Sequence, residues 1–131
     1  MNMCIFCEIA SHNIPSKVVY EDEKYLAFLD LSQTTIGHTL VIPKKHSKNI
    51  FELDEESFDI MRVVKKVAGI LKDAFNPIGI NIISNNERPL QSVEHFHIHL
   101  IPRYEDDNFD IMFKDNSKSV DLDEILKRVV K

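Results

Sequence analysis

The chain carries no tryptophan, only two cysteines, three glycines and five prolines among 131 residues, and its 16 Lys+Arg fall short of its 21 Asp+Glu. That deficit of positive charge, a formal −5, excludes a general nucleic-acid binder, because displacing counterions from many phosphates needs a surplus of Lys and Arg. A small phosphorylated ligand remains compatible with it, since a pocket can be locally positive. No stretch approaches the ~18 uninterrupted apolar residues of a membrane helix, so no membrane partner is expected. The opening Met1-Asn2-Met3-Cys4-Ile5-Phe6 has neither the basic start nor the long apolar stretch of a secretory signal. These absences lead to the expectation of a cytoplasmic protein whose two thiols stay reduced. A folded chain of this length hides roughly two thirds of the surface its unfolded form exposes, enough for one core without a disulfide scaffold. With 44% hydrophobic and 28% charged residues, and with no repeat, low-complexity tract or linker, residues 1–131 read as one globular domain.

What is present is patterned. Lys17 to Glu21 and Tyr25 to Leu29 flank the polar turn Glu21-Asp22-Glu23 and read as a hairpin. Gly37 releases a third strand, His38 to Ile42, which Pro43 ends. Asp54 is a candidate N-cap for one long amphipathic helix over 54–75, with Phe58, Met61, Val64, Val67, Ala68, Leu71 and Phe75 at threes and fours and Asn76-Pro77 as its stop. Gly79 to Ser84 reads as a strand, Asn85 to Leu90 as a loop, and Val93 to Ile101 as another strand. After a polar segment, a short helix from Asp121 carries Leu122, Ile125, Leu126 and Val129 on one side and is expected to pack onto the body. The predicted class is α+β: an antiparallel sheet of about five strands, one long helix and short helices at the ends.

Three of the six histidines occur in His95-Phe96-His97-Ile98-His99-Leu100-Ile101. In a strand alternate side chains share a face, so the histidines form one row, roughly 6 to 7 Å apart, while Phe96, Ile98 and Leu100 face the core. Such a row has three readings. It is a polar face that happens to use histidine, or a set of imidazoles converging on a metal, or a nucleophile with an acid beside it in the physiological pH range. In the last, a neutral imidazole attacks phosphorus and splits one difficult displacement into two easier ones. The pair Cys4-Ile5-Phe6-Cys7 has the spacing to grip one ion, as half of a zinc site that needs two further ligands, or else is a pair of plain buried thiols.

The run Gln91-Ser92-Val93-Glu94-His95-Phe96-His97-Ile98-His99-Leu100-Ile101-Pro102-Arg103 resembles the histidine-triad (HIT) signature. Ile5-Phe6, Ala27-Phe28-Leu29-Asp30 and Gly37-His38-Thr39-Leu40-Val41-Ile42-Pro43-Lys44-Lys45-His46 resemble the family's upstream segments in the same order. The resemblance implies a nucleotide hydrolase or transferase that acts at the α-phosphorus of purine nucleotides, such as nucleoside phosphoramidates or dinucleoside polyphosphates. It makes His97 the nucleophile and His99 the group that holds the phosphate or assists the leaving group. Asn85, Gln91 and Ser92 match phosphate-region positions, and Asp30 matches the carboxylate that accepts from the ribose hydroxyls. Ile5, Phe6, Ile9, Phe28 and Leu29 match the apolar clamp around the base, and His38 matches a fourth histidine that supports the triad.

Bacterial-type members with an N-terminal cysteine pair complete a structural zinc site with two histidines, here Cys4, Cys7, His46 and His95. The resemblance further implies a homodimer. One segment departs from the pattern. Where the family carries a Gly-rich loop, this chain has Asn85-Asn86-Glu87-Arg88-Pro89-Leu90, with no glycine to admit a phosphate against the backbone. That departure keeps open a nucleotide-binding or signalling module with little turnover.

Overall fold

The computed structural model, described here over residues 3–130, is an α+β domain around one five-stranded antiparallel sheet. The strands are β1 (Val18–Glu21), β2 (Tyr25–Leu29), β3 (Thr39–Pro43), β4 (Gly79–Ile83) and β5 (Ile98–Arg103), in the spatial order β1-β2-β3-β5-β4. Helix α1 (Ile5–Ala10) precedes the sheet, α2 (Ile60–Phe75) lies between β3 and β4, and α3 (Leu122–Val129) ends the chain.

The central strands are apolar at nearly every position because both faces of the sheet are covered. On one face Tyr25 and Ala27 of β2, Val41 of β3 and Ile98 and Leu100 of β5 pack against Ile60, Val63, Val64, Val67 and Leu71 of α2. On the other, Leu26, Phe28, Leu40 and Ile42 pack against Phe6, Ile9 and Ala10 of α1. Alternation thus sends successive residues of one strand into two separate cores. Leu40 of β3 pairs with His99 of β5, so the α1 face of the sheet is also the histidine face.

The long helix starts later than its pattern suggests. Asp54 caps a 3-10 turn over Glu55–Ser57, accepting from the Glu56 amide at 2.9 Å, and the α-helix begins only at Ile60. Asp59, which precedes it, makes no capping bond; its carboxylate accepts from the Tyr25 hydroxyl instead. The buried stripe is accordingly Ile60, Val63, Val64, Val67 and Leu71, while Phe58, Met61 and Phe75, expected on the inner face, are exposed. Asn76, left-handed at φ 46, ends the helix with its amide on the Lys72 carbonyl, and Pro77 follows.

Gly37 ends the β2–β3 loop at φ 94, where a Cβ would stand 2.9 Å from the Phe75 ring. Only glycine meets both demands. Helix α3 corrects the expectation of packing. Asp121 caps it as predicted, but Leu122 is 75% and Val129 74% exposed, and Ile125 and Leu126 are exposed as well. Amphipathic spacing predicts that such a helix has an apolar side, and says nothing of whether the same chain covers it.

Candidate active site and metal centre

Strand β5 begins at Ile98, five residues after the strand expected from Val93, so His95, at the end of a run of bends, and His97 stand on the segment leading into it. The alternation persists nonetheless: Phe96, Ile98 and Leu100 enter the α2 core, and the histidines turn to the opposite face. There the Phe6 ring of α1 meets His95 and His97 edge-on, with centroids 5.9 Å and 5.0 Å away. His97 and His99 stand 5.0 Å apart, and His99 and His38 5.2 Å.

At one end of the row, Cys4, Cys7, His46 and His95 converge with every ligand atom within 4.8 Å of the others. The Cys4 and Cys7 sulfurs lie 3.3 Å and 3.5 Å from His95 Nδ1, and His46 Nδ1 is 3.2 Å from the same atom. Cys4 caps α1, its sulfur accepting from the Cys7 amide, and so the first turn of the helix brings both thiols to one side. His95 Nε2 lies 2.7 Å from the Pro43 carbonyl, which can only accept. The ring proton is therefore on Nε2, and Nδ1 presents a bare lone pair to the cluster, the state a metal requires. Burial and the neighbouring Cys4 push the Cys7 thiol up to about 11, so an ion binding here displaces thiol protons. Two sulfurs and two imidazole nitrogens fit tetrahedral Zn²⁺. A cleft of about 1100 Å³ opens onto Cys4, Cys7 and His46 and runs past Ser92 to Arg88 and Glu94, so the cluster is reachable from solvent.

At the other end the ring partners differ. His97 Nδ1 lies 2.7 Å from the His95 carbonyl and must donate to it, leaving Nε2 bare. The Thr34 amide donates to His38 Nδ1 at 3.3 Å, so the proton of His38 sits on Nε2. His38 Nε2 in turn is 2.9 Å from His99 Nδ1, which accepts, and His99 consequently carries its proton on Nε2. A bare nitrogen on His97 thus stands beside an N–H on His99. Burial lowers all these rings below 6.5, with His99 held to about 4 by burial and by His97 and His38, so they are neutral near pH 7. Asp30, His38 and His99 also present three potential metal-ligand atoms within 4.8 Å. The Thr34 amide opposes an ion there, since coordination at His38 Nε2 would force a proton onto the Nδ1 that already accepts one.

Asp30 lies at the end of β2 with Oδ1 accepting from the Ser32 amide and hydroxyl at 2.8 Å and 2.6 Å. Burial alone would raise its carboxyl, but these bonds hold it below the usual range. Oδ2 is 3.6 Å from His38 Nε2. Gln91 is buried and its amide bonds to backbone: Nε2 donates to the Lys48 and Val93 carbonyls, and Oε1 accepts from the Glu87 amide at 2.9 Å. It shapes the loop 85–90, in which Glu87 takes φ 71 where a glycine would be easy. Ser92 is exposed beside this loop and Asn85 half-buried before it. Of the expected base clamp, Phe6, Ile9 and Phe28 belong to the α1 core, whereas Ile5 is exposed and Leu29 partly so. The groups that sequence reasoning missed are backbone ones: the Pro43 and His95 carbonyls and the Thr34 amide. No side-chain pattern announces them.

A family model for the HIT domain matches residues 11–106. The protein named hit of Bacillus subtilis is 48% identical over 98% of this chain and 92% of its own length. An adenosine 5'-monophosphoramidase, hnt1 of Schizosaccharomyces pombe, is 44% identical over 76% of this chain and 74% of its own. Among solved structures, a HIT-family member from Bacillus subtilis superposes with a TM-score of 0.91 at 43% identity, covering 98% of this chain and 95% of that one. A zinc-bound histidine-triad protein from Mycobacterium smegmatis gives 0.75 at 34% identity, covering 88% and 86%. This chain belongs to the HIT domain family.

Proposed function

We propose that the protein is a cytoplasmic nucleotide hydrolase or transferase that uses His97 as a nucleophile on the α-phosphorus of purine nucleotides, nucleoside phosphoramidates or dinucleoside polyphosphates. The observation that carries this is the 2.7 Å bond from His97 Nδ1 to the His95 carbonyl, which leaves Nε2 bare on a neutral ring. In the first step the Nε2 lone pair forms a bond to phosphorus while the bond to the leaving group breaks. The N–H of His99 Nε2 donates to a phosphoryl oxygen or protonates the leaving atom. Water then attacks phosphorus and the N–P bond breaks; the proton the water loses returns to His99 Nε2 where that ring gave its own to the leaving atom and otherwise passes to solvent, and the nucleoside monophosphate departs with His97 Nε2 bare again. Asp30 Oδ2 receives the ribose hydroxyls, and Ile5 and Leu29 present apolar surface to the base. Asn85 and Ser92 serve the phosphate region, with Gln91 acting through the loop it braces. The relative named as an adenosine 5'-monophosphoramidase supports the phosphoramidate class.

Zn²⁺ held by Cys4, Cys7, His46 and His95 would supply a closed structural tie between α1 and the segment entering β5. A reducing compartment suits two thiols kept as ligands. A homodimer is supported by the unpaired edge of β4 at the rim of the sheet and the exposed Met61, Phe75, Ile78 and Ile82.

Single-turnover mixing with an adenosine phosphoramidate labelled at phosphorus tests the reading. A transient covalent nucleotidyl-enzyme that is absent in His97→Ala is expected. Tight equilibrium binding of AMP with no covalent species would overturn it in favour of a binding module.

A further inference from the structure

Both groups that the proposed chemistry takes from the β2–β3 loop, the Asp30 carboxylate and the Thr34 amide, depend on the shape of eight residues without regular structure, 30–37. Gln33 sits in the middle of that loop in the left-handed region, φ 44, where a non-glycine residue costs on the order of 1 kcal/mol. Its amide crosses the loop. Nε2 donates to the Asp30 carbonyl at 2.6 Å and the His38 carbonyl at 2.8 Å, and Oε1 accepts from the Gly37 amide at 2.8 Å. One side chain therefore ties the residue that opens the loop to the two that close it. No other loop side chain hydrogen-bonds to the backbone across it: Ser32 bonds to Asp30, Thr35 Oγ1 donates to the Pro102 carbonyl, and the Asp30 carboxylate stands 3.6 Å from the His38 ring. The next residue after Gln33 is Thr34, whose amide fixes the proton of His38 on Nε2.

We propose that Gln33 is a positioning residue for the reaction: by bracing loop 30–37 it holds the Thr34 amide against His38 Nδ1, and so keeps the proton of His99 on Nε2, beside the nucleophile. This rests on His99 acting as the donor in the reading above. Without the brace the loop keeps the backbone bonds from the Asp30 amide to the His38 carbonyl and from the His38 amide to the Thr35 carbonyl, but the Thr34 amide is held less closely to His38, and the His38–His99 pair gains a second arrangement with both protons on Nδ1. In that arrangement His99 Nε2 becomes a lone pair facing the phosphate oxygens, which repels where it should donate. His97 is unaffected, because its own proton is set by the His95 carbonyl and not by this loop.

The experiment combines ¹⁵N imidazole spectra with steady-state kinetics for the wild type, Gln33→Gly and Gln33→Glu. Glycine removes the brace and relieves the left-handed strain; glutamate keeps the length and the acceptor but loses both N–H donors. In the wild type, His38 and His99 are expected as Nε2–H tautomers and His97 as Nδ1–H. In both variants the His38 and His99 signals shift towards Nδ1–H while His97 holds, and kcat falls at least tenfold, with the melting temperature and bound zinc kept. Unchanged tautomers in a folded variant overturn the proposal, as does a kcat loss that only tracks unfolded protein. If instead the wild-type His97 carries its proton on Nε2, the nucleophile reading fails, and it fails independently of Gln33.

Discussion

The two ends of the histidine row are built from the same side chain and do opposite things with protons. At the Cys4–Cys7 end, a carbonyl takes the Nε2 proton of His95 and turns a bare Nδ1 to the cluster. At the His99 end, an amide occupies His38 Nδ1 and passes an N–H down the pair, so that the row finishes in a donor. His97, between them, is set by the carbonyl of His95 itself. The proposed roles of ligand, nucleophile and donor thus follow from whether each ring meets a backbone acceptor or a backbone donor. Burial keeps every ring neutral enough for that assignment to matter.

The division is broken most severely at its centre. His97→Ala is expected to lower turnover by at least ~10³, about 4 kcal/mol of barrier, with metal content equal to that of the wild type; activity above a tenth of wild type would refute the nucleophile. Cys4→Ala attacks only the metal end. It should lose the zinc and lower the melting temperature by on the order of 10 °C, about 3 kcal/mol, and unchanged metal content would remove Cys4 from the ligand set.

Acid acts on the donor end. His99 is held to about 4 when folded and titrates near 6.5 when unfolded, so the unfolded chain binds the extra proton between those values. Its contribution to stability is full above pH 6.5 and lost as the pH falls towards 4. Urea titrations at pH 7 and pH 5 check this, and the difference should shrink in His99→Gln. Asp30→Asn sharpens the picture by keeping every imidazole in place while removing the charge 3.6 Å from His38 Nε2: KM for a ribonucleotide should rise about tenfold with a smaller fall in kcat, as a charge-assisted bond becomes a neutral one. Smallest of all is the removal of α3. Ending the chain at Val120 should change thermal stability by less than about 0.5 kcal/mol, since the helix buries none of its side chains; a larger loss would show that another copy covers it.

Much of this was legible in the sequence because it rests on period and residue type. Alternation placed His95, His97 and His99 opposite Phe96, Ile98 and Leu100, and that holds even though the first two histidines precede β5. The HIT signature and the cysteine spacing named the four residues that now stand together. What periodicity could not supply is the origin of a helix or its neighbours. Asp54 looked like the start of α2, and the 3-10 turn it caps delays the helix by a turn and a half and rotates Phe58 and Met61 outwards. Gln91 reads as a polar position of the phosphate loop, but that its amide would bond to the Glu87 amide and to the Lys48 and Val93 carbonyls had no sequence signal. The tautomers were invisible for a plainer reason, as they depend on carbonyls and amides that every residue type possesses.

Helix α1 is only six residues long, yet it supplies Cys7 to the metal cluster and, one position earlier, Phe6 to the flank of His97. If zinc and nucleoside bind as proposed, this one turn stands between the two sites. Whatever free energy the ion gains when a nucleoside occupies the neighbouring pocket must be returned as tighter nucleoside binding when the ion is present. In the proposed reading, nucleoside affinity measured with and without zinc therefore reports the sign of that exchange.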